Sequence, residues 1–365
     1  MKFTISRDAL IKPLNLVAGV VERRQTLPIL SNVLLNLEGN QLSLTGTDLE
    51  VELIGRVELP AAGTDGDVTV PARKLVDICK SLPDGSEIEF SVESGKATVK
   101  AGRSRFTLST LPASEFPSVE ESAGELALEV SQAVVKRLID RTAFAMAQQD
   151  VRYYLNGMLL EIAGGRLRMV ATDGHRLALC TAPEPVDTGD VAVIIPRKGV
   201  LELARLLEGD EQVRLVIGSN HVRAANRQFT FTSKLVDGKF PEYERVLPKS
   251  PDKTVIGDRL ALKQAFTRTA ILSNEKYRGV RLRLSEDSLD ITANNPEQEQ
   301  AEEVVSVEYQ GSDLEVGFNV SYLLDVLAVL DGEKVRMSLA DSASSALVEE
   351  AEAGDSLYVV MPMRL

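Results

Sequence analysis

The sequence predicts an α+β protein made of three similar units, each with two helices packed on antiparallel sheets. Three observations carry that expectation. First, the segment "GNQLSLTGTDLEVEL" from Gly39 recurs as "GGRLRMVATDGHRLAL" from Gly164, so that Leu42 aligns with Leu167, Leu44 with Met169, Thr47 with Thr172 and Asp48 with Asp173, 125 residues on. A third copy, "DSLDITANNPEQEQ", puts Leu289, Ile291 and Asn294 in the same register after a further 122 residues. Second, stretches such as "QLSLTG" and "VRLVIG" alternate apolar and polar residues, the pattern of half-buried antiparallel strands. Third, apolar residues at helical spacing open each copy: "SRDALIKPLNLV", "SQAVVKRLIDRTAF" and "DRLALKQAFTRTAIL".

Along the chain, Ser6 and Ser131 fit helix N-caps. A second helix follows in each copy, within "VTVPARKLVDICKSL" (68–82), "AVIIPRKGVLELARLL" (192–207) and "LEVGFNVSYLLDVLAVL" (314–330). Phe116-Pro117 recurs as Phe240-Pro241. Each unit thus reads helix, several strands, helix, several strands. Polar, Pro-containing stretches, "PSVEESAG" (117–124) and "LPKSPDKT" (247–254), separate the units. The expected domains are 1–120, 128–246 and 254–365, each of ordinary domain size.

Composition narrows the function. Of 365 residues, 44% are apolar and 26% charged, as in a globular chain with real cores. No apolar run approaches the roughly 20 residues that cross a bilayer, and "MKFTISRDAL" has no signal-peptide core. Two cysteines, Cys79 and Cys180, are too few to staple this length, which points to reduced thiols and a cytoplasmic location. The only histidines are His175 and His221. Phosphate-loop, dinucleotide, zinc-protease and paired-cysteine motifs are absent. Ser273-x-x-Lys276 matches S-x-x-K, at a frequency chance supplies. No cofactor and no metal are called for.

"VATDGHRLALC" (170–180) gathers residue types that do chemistry. Yet the first copy has "GTDLEVE" where the second has "ATDGHRL". A hydrolase built on Asp173 and His175 would have no His in the sister copies. The shared Thr-Asp fits a turn in which Asp binds its own backbone.

Net charge is −13, which alone argues against nucleic acid. Its distribution argues the reverse. The six helical segments together carry +9, which leaves −22 for everything else. Lys and Arg on solvated helix faces are common, but Glu is an equally good helix former, and these segments contain only one Glu. Helices sharing a basic face would hold phosphates without reading sequence, and an acidic exterior would leave one productive surface.

Many long motifs, in order and over the whole length, resemble the bacterial sliding clamps, the beta subunits of DNA polymerase III. They include "TLPILSN" (26–32), "GRSRFTLSTLP" (102–112), "QDVRYYLNGML" (149–159), "ATDGHRLA", "FTSKLVDGKFP", "AILSNEKYRGVRL", "ITANNPEQE" and "YVVMPMRL". The resemblance implies three clamp-type domains and a head-to-tail homodimer, a six-domain ring lined by twelve helices around double-stranded DNA. Twelve helices about 10 Å wide set their axes on a circle about 38 Å across and leave a hole of roughly 28 Å, wider than a duplex of about 20 Å.

The same resemblance implies residue roles. DNA would meet Arg24, Arg73, Gln149, Tyr153, Tyr154, Arg197 and Lys198. A cleft would take short peptides from the replicative polymerase alpha subunit, the clamp-loader delta subunit, other polymerases and repair proteins. Its residues would be Leu155, Thr172, Gly174, His175, Arg176, Leu177, Pro241, Arg245, Val246, Tyr277, Asn319, Tyr322, Ser345, Val359, Val360, Met361, Pro362, Met363 and Arg364. Met-rich walls repack around different anchors. The dimer interface would join Lys74, Ile78, Leu82, Lys96, Arg103, Arg105, Phe106 and Leu108 to Ile271, Leu272, Glu297, Glu299, Glu302 and Glu303, cationic against anionic. Ala343 stands where the family has a larger aliphatic residue, and Gln300 interrupts the acidic run. The competing readings are an enzyme, without an oxyanion motif to support it, and a monomeric scaffold.

Overall fold

The computed structural model describes residues 1–21, 27–119 and 126–364. The repeat is regular: strand, helix, four strands, helix, three strands, three times over. The first copy holds β1 (Lys2–Ser6), α1 (Arg7–Ala18), β2 (Asn32–Glu38), β3 (Gln41–Thr47), β4 (Val51–Glu58), β5 (Gly66–Pro71), α2 (Ala72–Ser81), β6 (Glu87–Glu93), β7 (Lys96–Ala101) and β8 (Ser104–Ser109). The second holds β9 (Leu126–Ser131), α3 (Gln132–Thr142), β10 (Gly157–Ala163), β11 (Arg166–Thr172), β12 (Arg176–Thr181), β13 (Val191–Pro196), α4 (Arg197–Leu206), β14 (Gln212–Ile217), β15 (His221–Ala225) and β16 (Phe229–Lys234). The third holds β17 (Lys253–Asp258), α5 (Arg259–Thr269), β18 (Gly279–Ser285), β19 (Ser288–Asn294), β20 (Gln300–Ser306), β21 (Leu314–Asn319), α6 (Val320–Val329), β22 (Lys334–Leu339), β23 (Ala346–Glu350) and β24 (Ser356–Val360). The strand before each first helix was not read from the sequence.

Local rules place the helices. The Ser6 hydroxyl accepts from Ala9 N at 3.2 Å and caps α1; Asp258 does the same for α5 through Ala261 N at 2.7 Å. Apolar residues at helical spacing point inward: Leu10, Leu14 and Val17 on α1, and Val320, Leu323, Val326 and Leu327 on α6. Burying each such side chain contributes roughly 1.5–3 kcal/mol.

The chain forms two compact units, Met1–Ala133 with Lys198–Leu235, and Val134–Arg197 with Val236–Leu365. The division runs through the second repeat, because each repeat gives its strands to two sheets. In the first unit an eight-stranded sheet runs β5-β2-β3-β4-β16-β15-β14-β9, and a four-stranded sheet β1-β6-β7-β8. In the second unit the eight-stranded sheet is β13-β10-β11-β12-β24-β23-β22-β17 and the four-stranded one β20-β19-β18-β21. Each eight-stranded sheet therefore has a seam where strand four of one repeat pairs with strand eight of the next. At the first seam Glu52 faces Thr232 and Ile54 faces Thr230. At the second, Leu177 faces Val359 and Leu179 faces Leu357. The strand eight and strand four left over, β8 and β20, pair with β7 and β19 alone among the described residues and are sheet edges.

Candidate functional site

The Thr-Asp turn is built identically twice. Thr47 Oγ1 donates to Val51 O at 3.0 Å and accepts from Leu49 N at 3.0 Å; Asp48 accepts from Glu50 N at 2.9 Å and Val51 N at 2.7 Å. Thr172 Oγ1 donates to Arg176 O at 2.6 Å and accepts from Gly174 N at 3.1 Å; Asp173 accepts from His175 N at 2.9 Å and Arg176 N at 3.1 Å. The position between is left-handed in both, Leu49 at φ 77° and Gly174 at φ 88°. Turn chemistry is thus what the motif shares. The Asp173 carboxylate is spent on backbone and on Arg176, and among the described residues no hydroxyl or thiol is hydrogen-bonded to the His175 side chain.

What differs between the turns makes the second a site. Arg176 Nε pairs with Asp173 at 3.1 Å, Nη1 with Asp325, and Nη2 donates to Phe144 O at 2.9 Å. Its guanidinium lies 4.5 Å from the Tyr322 ring centre and 5.2 Å from that of Phe144. The His175 ring stacks on Tyr322, centroids 6.4 Å apart. Burial pushes the Tyr322 hydroxyl pKa up. The chain tail joins the same corner: Met361 N donates to His175 O at 3.0 Å, and Met363 N to Gly317 O at 2.9 Å.

Below this corner is an apolar floor. Leu177 and Val359 share a buried cluster with Leu159, Val170, Leu179, Ile194, Phe240 and Tyr243, on which Tyr154 packs. Leu155, Val360 and Thr172 are also buried. Around it, Gly174, His175, Pro241, Arg245, Val246 and Met361 are exposed. The 3-10 turn Tyr243–Val246 carries Arg245, which pairs with Glu242 at 2.5 Å. Two depressions touch the expected cleft residues. One, of about 490 Å³, is lined by Pro241 and Arg245 together with Leu159 and Ile194. The other, of about 530 Å³, is lined by Tyr277, Met363 and Arg364 with Arg281 and Asn294. Asn319 caps α6 through Ser321 N at 2.9 Å, while Tyr322 and Pro362 are half-buried, as is Ser345; Ala343 is exposed.

Several residues of this corner escaped the sequence reading. Arg152 is held by Asp150 at 2.9 Å and donates to Asp173 O at 3.3 Å; that clamp holds Asp150 at about 2. Phe144 and Asp325 complete the Arg176 cage. They come from other elements of the second unit, and no local pattern marks them.

The residues expected to meet DNA are unevenly available. Arg24 lies outside the described residues. Arg73 is exposed, with one long bond to Val21 O at 3.4 Å. Gln149 is exposed at φ 54°, and Tyr153 is 57% exposed, packed edge-on to the half-buried Tyr154. Arg197 donates to Met146 O at 3.5 Å, and Lys198 is paired with Asp48. The helix charge count overstates what a polyanion would meet. Arg141 is 3% exposed, bound to Val329 O and Asp331; Arg137 pairs with Asp355 at 2.6 Å and Arg259 donates to Gly332 O at 2.8 Å. These cations hold elements together, a use the sequence count does not register.

The expected interface residues lie on two separate edges. Lys96, Arg103 and Arg105 are exposed on or beside β7 and β8, with Lys74 exposed on α2. Ile78, Leu82 and Leu108 are already buried in their own unit, and Phe106 is half-buried. In the second unit Glu297, Glu299 and Glu302 are exposed, Ile271 is 74% exposed and Leu272 half-buried. Arg268 holds Glu303 at 2.6 Å and lowers its pKa. Val304, unremarked in the sequence, is 70% exposed on β20.

Among the described residues no helix is long and apolar enough to cross a membrane, and no cluster of three or more His, Cys, Asp or Glu is placed to hold a metal.

Three family descriptions match in order: DNA polymerase III beta subunit, N-terminal domain over residues 1–120, central domain over 129–242 and C-terminal domain over 244–364. The beta sliding clamp of Pseudomonas aeruginosa is 68% identical, and that of Escherichia coli 57%, over all of both chains. A crystal structure of the Pseudomonas aeruginosa clamp bound to griselimycin superposes with a TM-score of 0.97 at 68% identity, covering both chains fully. The Caulobacter crescentus beta subunit superposes at 0.94 with 41% identity, again over both full chains.

Proposed function

The chain belongs to the DNA polymerase III beta subunits, the beta sliding clamps, and on that premise we propose that two copies close head to tail around duplex DNA. It is a DNA sliding clamp, a processivity factor of replication. In our reading it catalyses nothing, works in the cytoplasm, and divides into domains 1–120, 128–246 and 254–365.

One observation carries the ring. Each internal seam pairs strand four of a repeat with strand eight of the next, and the chain ends with a spare strand eight, β8, and a spare strand four, β20. Repeating the seam between copies joins them head to tail, and two such joints close a cycle. The internal seams also suggest a register for that joint. Gln300 opposes Asn294 as Leu177 opposes Thr172, and "FTL" at 106–108 aligns with "FTF" at 229–231. Ala301 then faces Leu108, Glu302 faces Thr107, Glu303 faces Phe106 and Val304 faces Arg105. Acidic β20 against basic β8 favours this pairing and disfavours β20 with itself. Exposed Ile271 and Val304 supply apolar area beside it.

In the peptide cleft, a partner's aliphatic side chain would sit on the Leu177–Val359 floor, with Arg176 and His175 walling one end. The replicative polymerase alpha subunit, the clamp-loader delta subunit and repair proteins are the partners in this reading. DNA would meet Arg24, Arg73, Gln149, Tyr153, Tyr154, Arg197 and Lys198, with Lys198 exchanging Asp48 for a phosphate. The test is retention: once loaded, the protein stays on closed circular DNA in high salt and leaves when the circle is cut. Equal loss from circle and linear DNA would refute topological linkage.

A further inference from the structure

The two seams carry the same sheet face with opposite chemistry. At the second seam the face is apolar: Val170, Leu177, Leu179 and Val359, with the Tyr243 ring packed on it. At the first seam the equivalent positions, by register and the 125-residue offset, are Thr45, Glu52, Ile54 and Thr232. Tyr243 is replaced by Val119, since Phe116-Pro117 aligns with Phe240-Pro241. A cavity of about 610 Å³ lies here, within the first unit, with Leu34, Ile54, Phe116 and Val119 in its wall.

Its polar groups are placed for a ligand. Glu52, Ile54 and Arg56 alternate along one face of β4, so the Glu52 and Arg56 charges lie roughly 13 Å apart, the span of about four extended residues; a second cation, Arg223, also lines the cavity and favours the Glu52 charge. Arg56 is half-buried and lines the cavity. Its one side-chain bond among the described residues is from Nη2 to Thr230 Oγ1 at 2.7 Å, and burial lowers its pKa with no carboxylate to oppose that. A desolvated guanidinium with unspent donors is suited to a carboxylate. At the other end Glu52 is 7% exposed and accepts from Val119 N at 3.3 Å. Beside it Thr232 is 3% exposed, and its buried hydroxyl has no hydrogen-bond partner among the described residues.

We propose that this cavity is a second docking site, for an acidic linear peptide whose carboxylate is received by Arg56 and whose backbone N–H groups are received near Glu52. Leu34, Ile54 and Phe116 hold the adjoining aliphatic side chain. A nucleic-acid strand fits less well, because its sugars would meet the apolar wall of Leu34, Ile54 and Phe116. The site rests on the internal repeat and not on the cleft at the second seam, so either stands without the other.

The probe is acetyl-Leu-Glu-Leu-amide, titrated into the full-length protein with labelled Ile, Leu and Val methyls. Shifts at Leu34, Ile54 and Val119, saturating with the probe and weakened roughly tenfold or more by Arg56→Gln, the loss of one charge-assisted bond, are the expected result. Ile54→Trp, which fills the cavity and leaves the guanidinium in place, should abolish them also and guards against a fold defect in Arg56→Gln. The proposal is overturned if those methyls do not move, if acetyl-Leu-Gln-Leu-amide binds equally well, if only Leu177 and the second seam respond, or if a single-stranded oligonucleotide shifts them and the peptide does not.

Discussion

The guanidinium of Arg176 lies 4.5 Å from the ring centre of Tyr322 while its nitrogens are spent on Asp173, Asp325 and the Phe144 carbonyl. Each of the three guanidinium nitrogens is thus used in fixing the wall of the proposed cleft. Arg176→Lys keeps a charge and loses the fork. It is expected to cost about 2 kcal/mol of stability in urea unfolding and to weaken peptides that dock on Leu177 by on the order of tenfold. Unchanged affinity in a fluorescence titration would remove Arg176 from the cleft.

Gly174 and Leu49 occupy the same left-handed turn position with different surroundings. A Cβ on Gly174 would stand 3.0 Å from two Arg152 guanidinium nitrogens, at φ 88°. Gly174→Ala is expected to cost about 1 kcal/mol and to displace Arg152. Leu49 already bears that backbone strain at φ 77°, so Leu49→Gly trades strain for chain entropy and should stay within about 0.5 kcal/mol of the parent. A paired thermal melt decides both.

Alkaline pH should unfold the protein earlier than carboxylate chemistry alone would. Burial raises both thiols from 9 to about 11, and burial with the Glu161 hydrogen bond raises Tyr243 from 10 to about 12. A raised acid pKa means the unfolded chain loses its proton first. The contribution is whole below pH 9 for the thiols and is lost as pH rises to 11, with Tyr243 following between 10 and 12, up to about 2–3 kcal/mol per group. Cys79→Ala with Cys180→Ala should move the onset of unfolding, followed by circular dichroism against pH, upward. An onset that does not move would mean these thiols ionise as freely folded as unfolded.

The interface should break at its exposed apolar contacts. Ile271→Asp or Val304→Asp places a charge where the closed joint would exclude water, and should raise the dimer Kd on the order of a hundredfold in sedimentation velocity. Because both side chains are exposed in the single chain, melting of the isolated subunit should be unaffected. A stable dimer in both variants would refute the β8–β20 pairing.

A recurring Thr-Asp turn, an alternation of apolar residues and a helical spacing are local properties, and they were legible. The three copies, the six helices and the structural role of Thr47-Asp48 and Thr172-Asp173 all follow from residues near each other in the chain. The Arg176 cage was only half legible: Thr172, His175 and Arg176 stand together in the sequence, but Phe144 reaches them from 32 residues before Arg176 and Asp325 from 149 residues after it, with Tyr322 on the same helix as Asp325. The helix charges mislead for the same reason. Arg141 counts as +1 in any sum, yet its partners Val329 and Asp331 take it out of solvent.

The sequence by itself determined the period, the helices and the sign of charge on each, because these depend on backbone propensity and on which side chains avoid water. Only the tertiary structure decided that repeats exchange half their strands across seams, leaving β8 and β20 as edges, and that matching faces became an apolar floor at one seam and a charged cavity at the other. Strand partners are chosen by contacts far apart along the chain, and no local pattern records which edge a strand will meet.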